Sequence, residues 1–355
     1  MPRMPVLLAV ALLVGACSGR GPAASTVGPE PGDRTARSQA LLDGAINAED
    51  PGCSAAVGVE GTVVWTGVRG LADLATGAAI TADTVFDIAS VSKQFTATAV
   101  LLLVQEGKLA LDDPLSGHLP GLPRWADSVT VAQLIHQTSG IPDYIGLLDD
   151  AGVEENGRAT QADALTVLGA VPELDFEPGA QFEYSNSNYI LLAEIVSEAS
   201  GQPLPKYLNV NIFQPLDLVM VLDPAGTTSN EAVPYAQDGG GYLVADSSWE
   251  QIGDGAIQTT PSQLVRWADN YRTGRVGGRA LLAAQLAGAV PDGAERYGAG
   301  ISLLPDGSIG HEGAWGGFVS DFRVSSDRRT SLAISCNIDD QDTGVLVSAL
   351  AQLWI

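Results

Sequence analysis

The sequence predicts an α+β fold: one mostly antiparallel sheet built from both chain ends and flanked by helices, with a mainly helical lobe inserted. Strand-like runs gather near the start and after Tyr297, whereas helical patterns and Pro/Gly-rich loops fill the middle. The composition is globular: of 355 residues, 45% are hydrophobic and 17% charged, which excludes a disordered chain.

The elements follow in order. Arg3 and the apolar run 6–14, too short to span a membrane, read as an export signal over residues 1–16. Val14-Gly15-Ala16-Cys17 resembles a bacterial lipoprotein signal, with small residues before the cut and the Cys17 thiol as the lipid attachment point. That placement implies an exported chain on the outer face of the cytoplasmic membrane or in the periplasm. An ordinary secretory signal with a chance cysteine is the alternative. Residues 17–40 read as a flexible tether, and a helical pattern at 38–48 overlaps its end. Residues 41–355 form the folded unit, divided into an α/β lobe (41–111 and 239–355) and a mainly helical lobe (112–238).

Within that unit, runs at 55–60 and 62–67 flank Gly61 as a hairpin, and 84–89 leads into Ser90. Helices are predicted at 92–107, 129–134, 189–199 and 261–271, the last opened by Pro261. Strands at 298–304, 308–311, 318–325 and 331–337 follow, then a helix at 345–354. If the first and last strands pair antiparallel, Cys53 meets Cys336. A disulfide and two free buried thiols both fit that placement.

The net charge of −24 argues against nucleic acid or an anionic lipid surface as partner, since both would be repelled. Membrane association is expected only through the lipid anchor. His118 and His136 lack partners at metal-ligand spacing, so packing or surface roles are expected and no metal or organic cofactor is implied.

Three short motifs carry chemistry. In Ser90-Val91-Ser92-Lys93, a serine three residues before a lysine at a helix start shares its face. The lysine can take the hydroxyl proton, and free N–H groups at the helix start can hold an oxyanion. Tyr184-Ser185-Asn186 offers a phenol to shuttle protons and an amide to orient a substrate amide. His311-Glu312-Gly313, at a strand edge, offers a glycine that lets substrate lie along the backbone, and the following Ala314 N–H can complete an oxyanion hole.

In this order, the three motifs resemble the signature of the beta-lactamase and penicillin-binding-protein superfamily. The flanks extend the likeness: Phe86-Asp87-Ile88-Ala89 before the nucleophile, Gln137-Thr138-Ser139-Gly140-Ile141-Pro142-Asp143-Tyr144, Ile212-Phe213-Gln214-Pro215-Leu216 and Gly253-Asp254-Gly255. The resemblance runs from about Pro51 to the C-terminus. It is closest to the branch of class C beta-lactamases, D,D-carboxypeptidases, D-aminopeptidases and esterases. It implies a beta-lactamase/transpeptidase-like fold and a serine hydrolase acting through an acyl-enzyme. Ser90 would be the nucleophile, Lys93 and Tyr184 the proton-transfer groups, and Asn186, His311 and Gly313 the substrate-binding residues. The N–H groups of Ser90 and Ala314 would form the oxyanion hole. The implied substrates are small peptides, D-amino-acid peptides and cell-wall peptide among them, or esters and amides. A beta-lactamase and a catalytically silent, lipid-anchored wall-binding module are the alternatives.

One departure bears on substrate. His311 stands where many beta-lactamases have lysine, and Glu312 follows it. A Glu312 carboxylate facing the site would repel a substrate carboxylate. It would otherwise hold His311 protonated or point away.

Overall fold

The computed structural model describes residues 31–153, 157–225, 228–245 and 247–355. The leader, Cys17 and the first part of the tether lie outside the described residues. The first helix, α1 (Pro31–Ala45), starts earlier than the pattern at 38–48 suggests and takes in the end of the expected tether. No described helix is long and apolar enough to cross a membrane.

The architecture is the expected α+β one. Eight strands form the large sheet: β1 (Cys53–Val59), β2 (Thr62–Arg69), β3 (Val290–Asp292), β4 (Glu295–Tyr297), β5 (Ser302–Leu303), β6 (Ile309–Trp315), β7 (Phe318–Val324) and β8 (Thr330–Cys336). Their order is β3-β4-β5-β6-β7-β8-β1-β2, and every pairing in it is antiparallel. The β1–β2 turn holds Glu60 and Gly61 at φ 50° and 78°, the paired positive values that suit a tight hairpin to strand twist. β1 and β8 are buried along nearly their whole length, because both of their faces are covered.

Four further helices matter here: α2 (Lys93–Gln105), α3 (Asn186–Ser200), α4 (Pro261–Ala268) and α5 (Thr343–Trp354). One face of the sheet packs on α1 and α5 around Leu42, Val57, Ile334, Val347 and Leu350. The main core covers the other face and runs without a break from Phe322 and Ala333 through α2 and α4 to Leu134 and Tyr189 in the helical part. The two lobes therefore share one core. The lobe boundary expected at 238/239 falls inside a hairpin, in which Tyr235–Asp238 pairs with Gly241–Val244.

Two strand readings change. Of the run at 298–304 only β5 (Ser302–Leu303) is strand, because the chain turns just before it, with Gly298 N donating to Ile301 O (2.7 Å), and β4 lies ahead of the run. The run at 308–311 continues to Trp315, so His311, Glu312 and Gly313 sit inside β6. β5 pairs with β6 only at Gly310 and Ile309, so residues 311–315 present a free edge on that side.

Cys53 and Cys336 stand directly opposite in the β1–β8 register and form a disulfide across a sequence separation of 283 residues. It closes the join between the two chain ends. Replacing both (Cys53→Ala with Cys336→Ala) is expected to lower stability by roughly 3–5 kcal/mol, seen as a fall in the urea midpoint. An unchanged midpoint would mean that the sheet needs no covalent closure.

Candidate active site

The segment that carries Ser90 is held from behind. The short strand Phe86–Asp87 pairs with Ile257–Thr259, and Asp87 Oδ1 accepts from Ala89 N at 2.7 Å. Ala89 has φ 46°, an unfavourable value for a residue with a Cβ. That bend delivers Ser90 into a 3-10 turn, Ala89–Ser92, that leads straight into α2. Ser92 does not cap the helix with its side chain; its Oγ accepts from Ile257 N (3.2 Å).

One turn on, Lys93 is fully buried. Its Nζ donates to Asn186 Oδ1 (2.8 Å) and to the Asp254 backbone O (2.8 Å), and it lies 2.9 Å from Ser90 Oγ. Two of these partners are carbonyl oxygens, which only accept. They occupy two N–H bonds and leave the third position for Ser90. Once it has given up a proton the amine keeps two donors and one lone pair, and in that form this geometry lets Lys93 take the serine proton and later return it.

The partners are themselves fixed. Asp143 Oδ2 accepts from Asn186 N (2.7 Å) and Nδ2 (3.0 Å), which turns Asn186 Oδ1 toward Lys93 and leaves one Nδ2–H for substrate. Thr96 Oγ1 donates to Gly253 O (2.7 Å), tying the loop that carries Asp254 to α2. Tyr144 Oη donates to Asp254 Oδ2 (3.0 Å). Burial raises the Asp254 carboxyl above the usual range, while the Lys93 charge pulls it back. Burial also pushes Asp87 up to about 7, with Asp254 nearby adding to the shift. Tyr184 is 38% exposed, and its ring centroid lies 5.0 Å from Lys93 Nζ.

β6 forms the opposite wall. A Cβ on Gly313 would stand 2.4 Å from Ile88 O and 2.9 Å from Ser90 N, so only glycine lets the strand come this close to Ser90. His311 Nδ1 donates to Glu312 O, and its Nε2 accepts from Tyr297 Oη (3.2 Å). Burial first, and then the Lys93 charge, lowers its pKa to about 4. His311 is therefore neutral at pH 7, and the Glu312 carboxylate does not hold it protonated. Alternation along the strand puts Glu312 on the reverse face from His311 and Gly313, across from Asp321 of β7.

The fold thus brings Ser90, Tyr184, Asn186, His311, Gly313 and Ala314 onto one cleft of about 1080 Å³, with Lys93 buried at its floor. Trp249 and Trp315 pack tilted against each other, ring centroids 5.4 Å apart, on its rim and supply an apolar wall. Cys17 lies outside the described residues, and Cys53 and Cys336 lie on the sheet's other face. His118 Nδ1 lies within hydrogen-bond distance of Glu198 Oε2 (2.9 Å) near the surface, and no described cluster has metal-ligand geometry. Sequence reading gave Asp143 and Asp254 no role, although both fall in quoted segments. Asp87 and Tyr297 were given no role either: Asp87 holds the Ala89 N–H two residues on, a local contact, whereas the Tyr297–His311 contact joins separate strands and no spacing shows it.

Gly313→Ala is expected to cost about a hundredfold or more in turnover with the overall fold retained, since the β6 wall must retreat from Ser90. Activity near wild type, with an unchanged circular dichroism spectrum, would contradict that packing. His311 gives a pH test. Its folded pKa is depressed below the unfolded value of ~6.5, so it contributes stability above that pH. The contribution is lost as pH falls through about 4. The His311 ring signal in NMR is expected to titrate near that value, and titration above pH 6 would sink the buried, neutral assignment.

The family model described as Beta-lactamase matches residues 42–352. A D-aminopeptidase of Brucella anthropi is 31% identical over 306 residues, covering 82% of this chain and 57% of the relative. The chain thus spans little more than half the length of that relative. A D-stereospecific amidohydrolase from Streptomyces sp. superposes with TM-score 0.75 at 26% identity, covering 89% of this chain and 98% of that one. A D-amino acid amidase from Ochrobactrum anthropi SV3 superposes with TM-score 0.78 at 23% identity, covering 90% and 98%.

Proposed function

The chain belongs to the beta-lactamase family, and on that premise we propose that it is a serine hydrolase acting through an acyl-enzyme on Ser90. Its substrates in this reading are D-amino-acid amides and peptides, or small esters. The observation that carries the proposal is the Ser90–Lys93–Asn186–Asp254 arrangement, in which a buried lysine amine, held by two carbonyl oxygens, lies within hydrogen-bond distance of a serine hydroxyl.

Ser90 Oγ attacks the carbonyl carbon, and its proton passes to Lys93 Nζ. The backbone N–H groups of Ser90 and Ala314 hold the oxyanion, and the remaining Asn186 Nδ2–H takes the substrate amide. Tyr184, beside Lys93 at the cleft mouth, relays the proton to the leaving amine or alkoxide as the C–N or C–O bond breaks. Water then cleaves the Ser90 ester with the same groups working in reverse.

One feature supports a substrate that carries no carboxylate next to the scissile bond: His311 is neutral where a cation would grip an anion. The names of the D-aminopeptidase and amidase relatives favour D-amino-acid substrates. Cell-wall peptide remains within this class, and nucleic acid falls outside it. Export, with Cys17 as the lipid anchor, belongs to the same reading, since the Cys53–Cys336 disulfide suits an oxidising compartment.

The test is intact-mass spectrometry after a fluorophosphonate and, separately, a penicillin, together with hydrolysis of D- and L-alanine p-nitroanilide. A fluorophosphonate adduct on Ser90, cleavage of the D over the L substrate, and a loss of about a thousandfold or more in Ser90→Ala are expected. Fast penicillin turnover would replace this reading with a beta-lactamase. No adduct from either reagent on folded protein would leave the silent binding module.

A further inference from the structure

A second cluster of charge lies behind the free edge of β6. Glu312 projects there, Asp321 faces it from β7, and Asp342 begins α5. Asp342 Oδ1, Glu312 Oε1 and Asp321 Oδ2 stand 3.5, 3.7 and 3.8 Å from the point a Cβ would occupy on Gly344. Three carboxylates from three elements therefore converge on a space that any larger residue at 344 would fill.

Asp342 Oδ1 already accepts from Val345 N (2.9 Å) as the α5 cap. Asp321 is different. It is only 2% exposed, and its Oδ2 has no hydrogen-bond partner among the described residues. A buried acceptor left without a donor is costly, and a ligand donor would remove that cost. Burial pushes this carboxyl up to about 7; Arg323 opposes the shift, and Glu312, Glu295 and Asp342 add to it. Arg323 shares the face, yet no ion pair joins it to these carboxylates among the described residues, and its Nη1 reaches toward Ser348 Oγ at 3.5 Å.

The spacing decides what would fit. Hard metal ions hold oxygens at about 2.0–2.6 Å, and no described group has metal-ligand geometry. A primary ammonium on a carbon chain is larger and directs three N–H bonds. The space opens into the cleft that holds Ser90, with Glu312, Asp321, Asp342 and Gly344 all lining it. Gly313, next to Glu312 in the chain, touches the nucleophile segment.

We propose that this cradle of Glu312, Asp321 and Asp342 over Gly344 is a subsite for a primary ammonium carried on the substrate away from the bond that Ser90 attacks. It deepens the hydrolase reading and rests on it for Ser90. The substrate class becomes diamino or lysine-like amides, peptides and esters, and a carboxylate at the same place is turned away.

Two fluorophosphonates of equal chain length test it, one ending in a primary ammonium and one in a hydroxyl. The ratio of their labelling rates at Ser90 cancels any general loss of activity. Wild type is expected to favour the ammonium by about tenfold, the order a charge-assisted hydrogen bond supplies. The ratio is expected to fall toward one in Glu312→Gln with Asp321→Asn, and also in Gly344→Ala. The alanine methyl meets the carboxylates only at ordinary contact distance, and alanine favours a helix, so Gly344→Ala fills the cradle without unfolding it. A wild-type ratio near one, or one unchanged in both variants, overturns the proposal. Calorimetry with putrescine needs no reaction at Ser90. Binding by wild type that is lost in Gly344→Ala supports the cradle even if neither probe labels Ser90, an outcome that sinks the hydrolase reading alone. Absent binding, or equal binding by both proteins, overturns the cradle.

Discussion

A lysine amine buried at the floor of the cleft cannot stand without polar partners, and the rest of the site is arranged around that need. Lys93 finds its partners on three segments far apart in the chain: Ser90 one turn back, Asn186 at the start of α3 and the Asp254 carbonyl. Each partner is held by another contact. Asp143 turns Asn186, Thr96 anchors the loop before Asp254, and the strained Ala89 aims Ser90. Because α2 and α3 lie in the shared core, moving either helix would break the Lys93 geometry. Core packing and site geometry are therefore coupled, as preorganised catalysis requires.

β6 divides the electrostatics of the cleft. Its inner face presents the neutral His311 and the bare Gly313 to the segment that carries Ser90, whereas its reverse face presents Glu312 beside Asp321. Strand alternation alone produces this partition. A one-residue slip in register would bring Glu312 against Ser90 and send His311 to the other side. The β6–β7 register and the close approach at Gly313 thus protect the chemistry from the acidic surroundings.

Much of this was legible in the chain. Strands at both ends with helices between follow from periodicity, and the two end strands do meet, carrying the disulfide. The Ser90–Lys93 contact is set by helical spacing and needs no tertiary information. Boundaries were less legible. α1 begins at Pro31, among residues that read as tether, and proline suits a first helical position; β6 runs on through a glycine that reads as a strand end, because pairing with β7 overrides local propensity.

The sequence by itself determined the α+β class, the local geometry of Ser90 and Lys93, and the residue types at the tyrosine–asparagine and histidine–glycine motifs. Those properties depend on spacing within a few residues. Only the tertiary structure decided that Asp143 orients Asn186, that Asp254 supplies a carbonyl rather than its carboxyl to Lys93, that His311 is neutral, and that Glu312 faces away from Ser90. Each of these depends on which distant segment arrives at a given side chain, and on how far water is excluded when it does. Burial and long-range contact belong to the packed chain as a whole, so no window of sequence contains them.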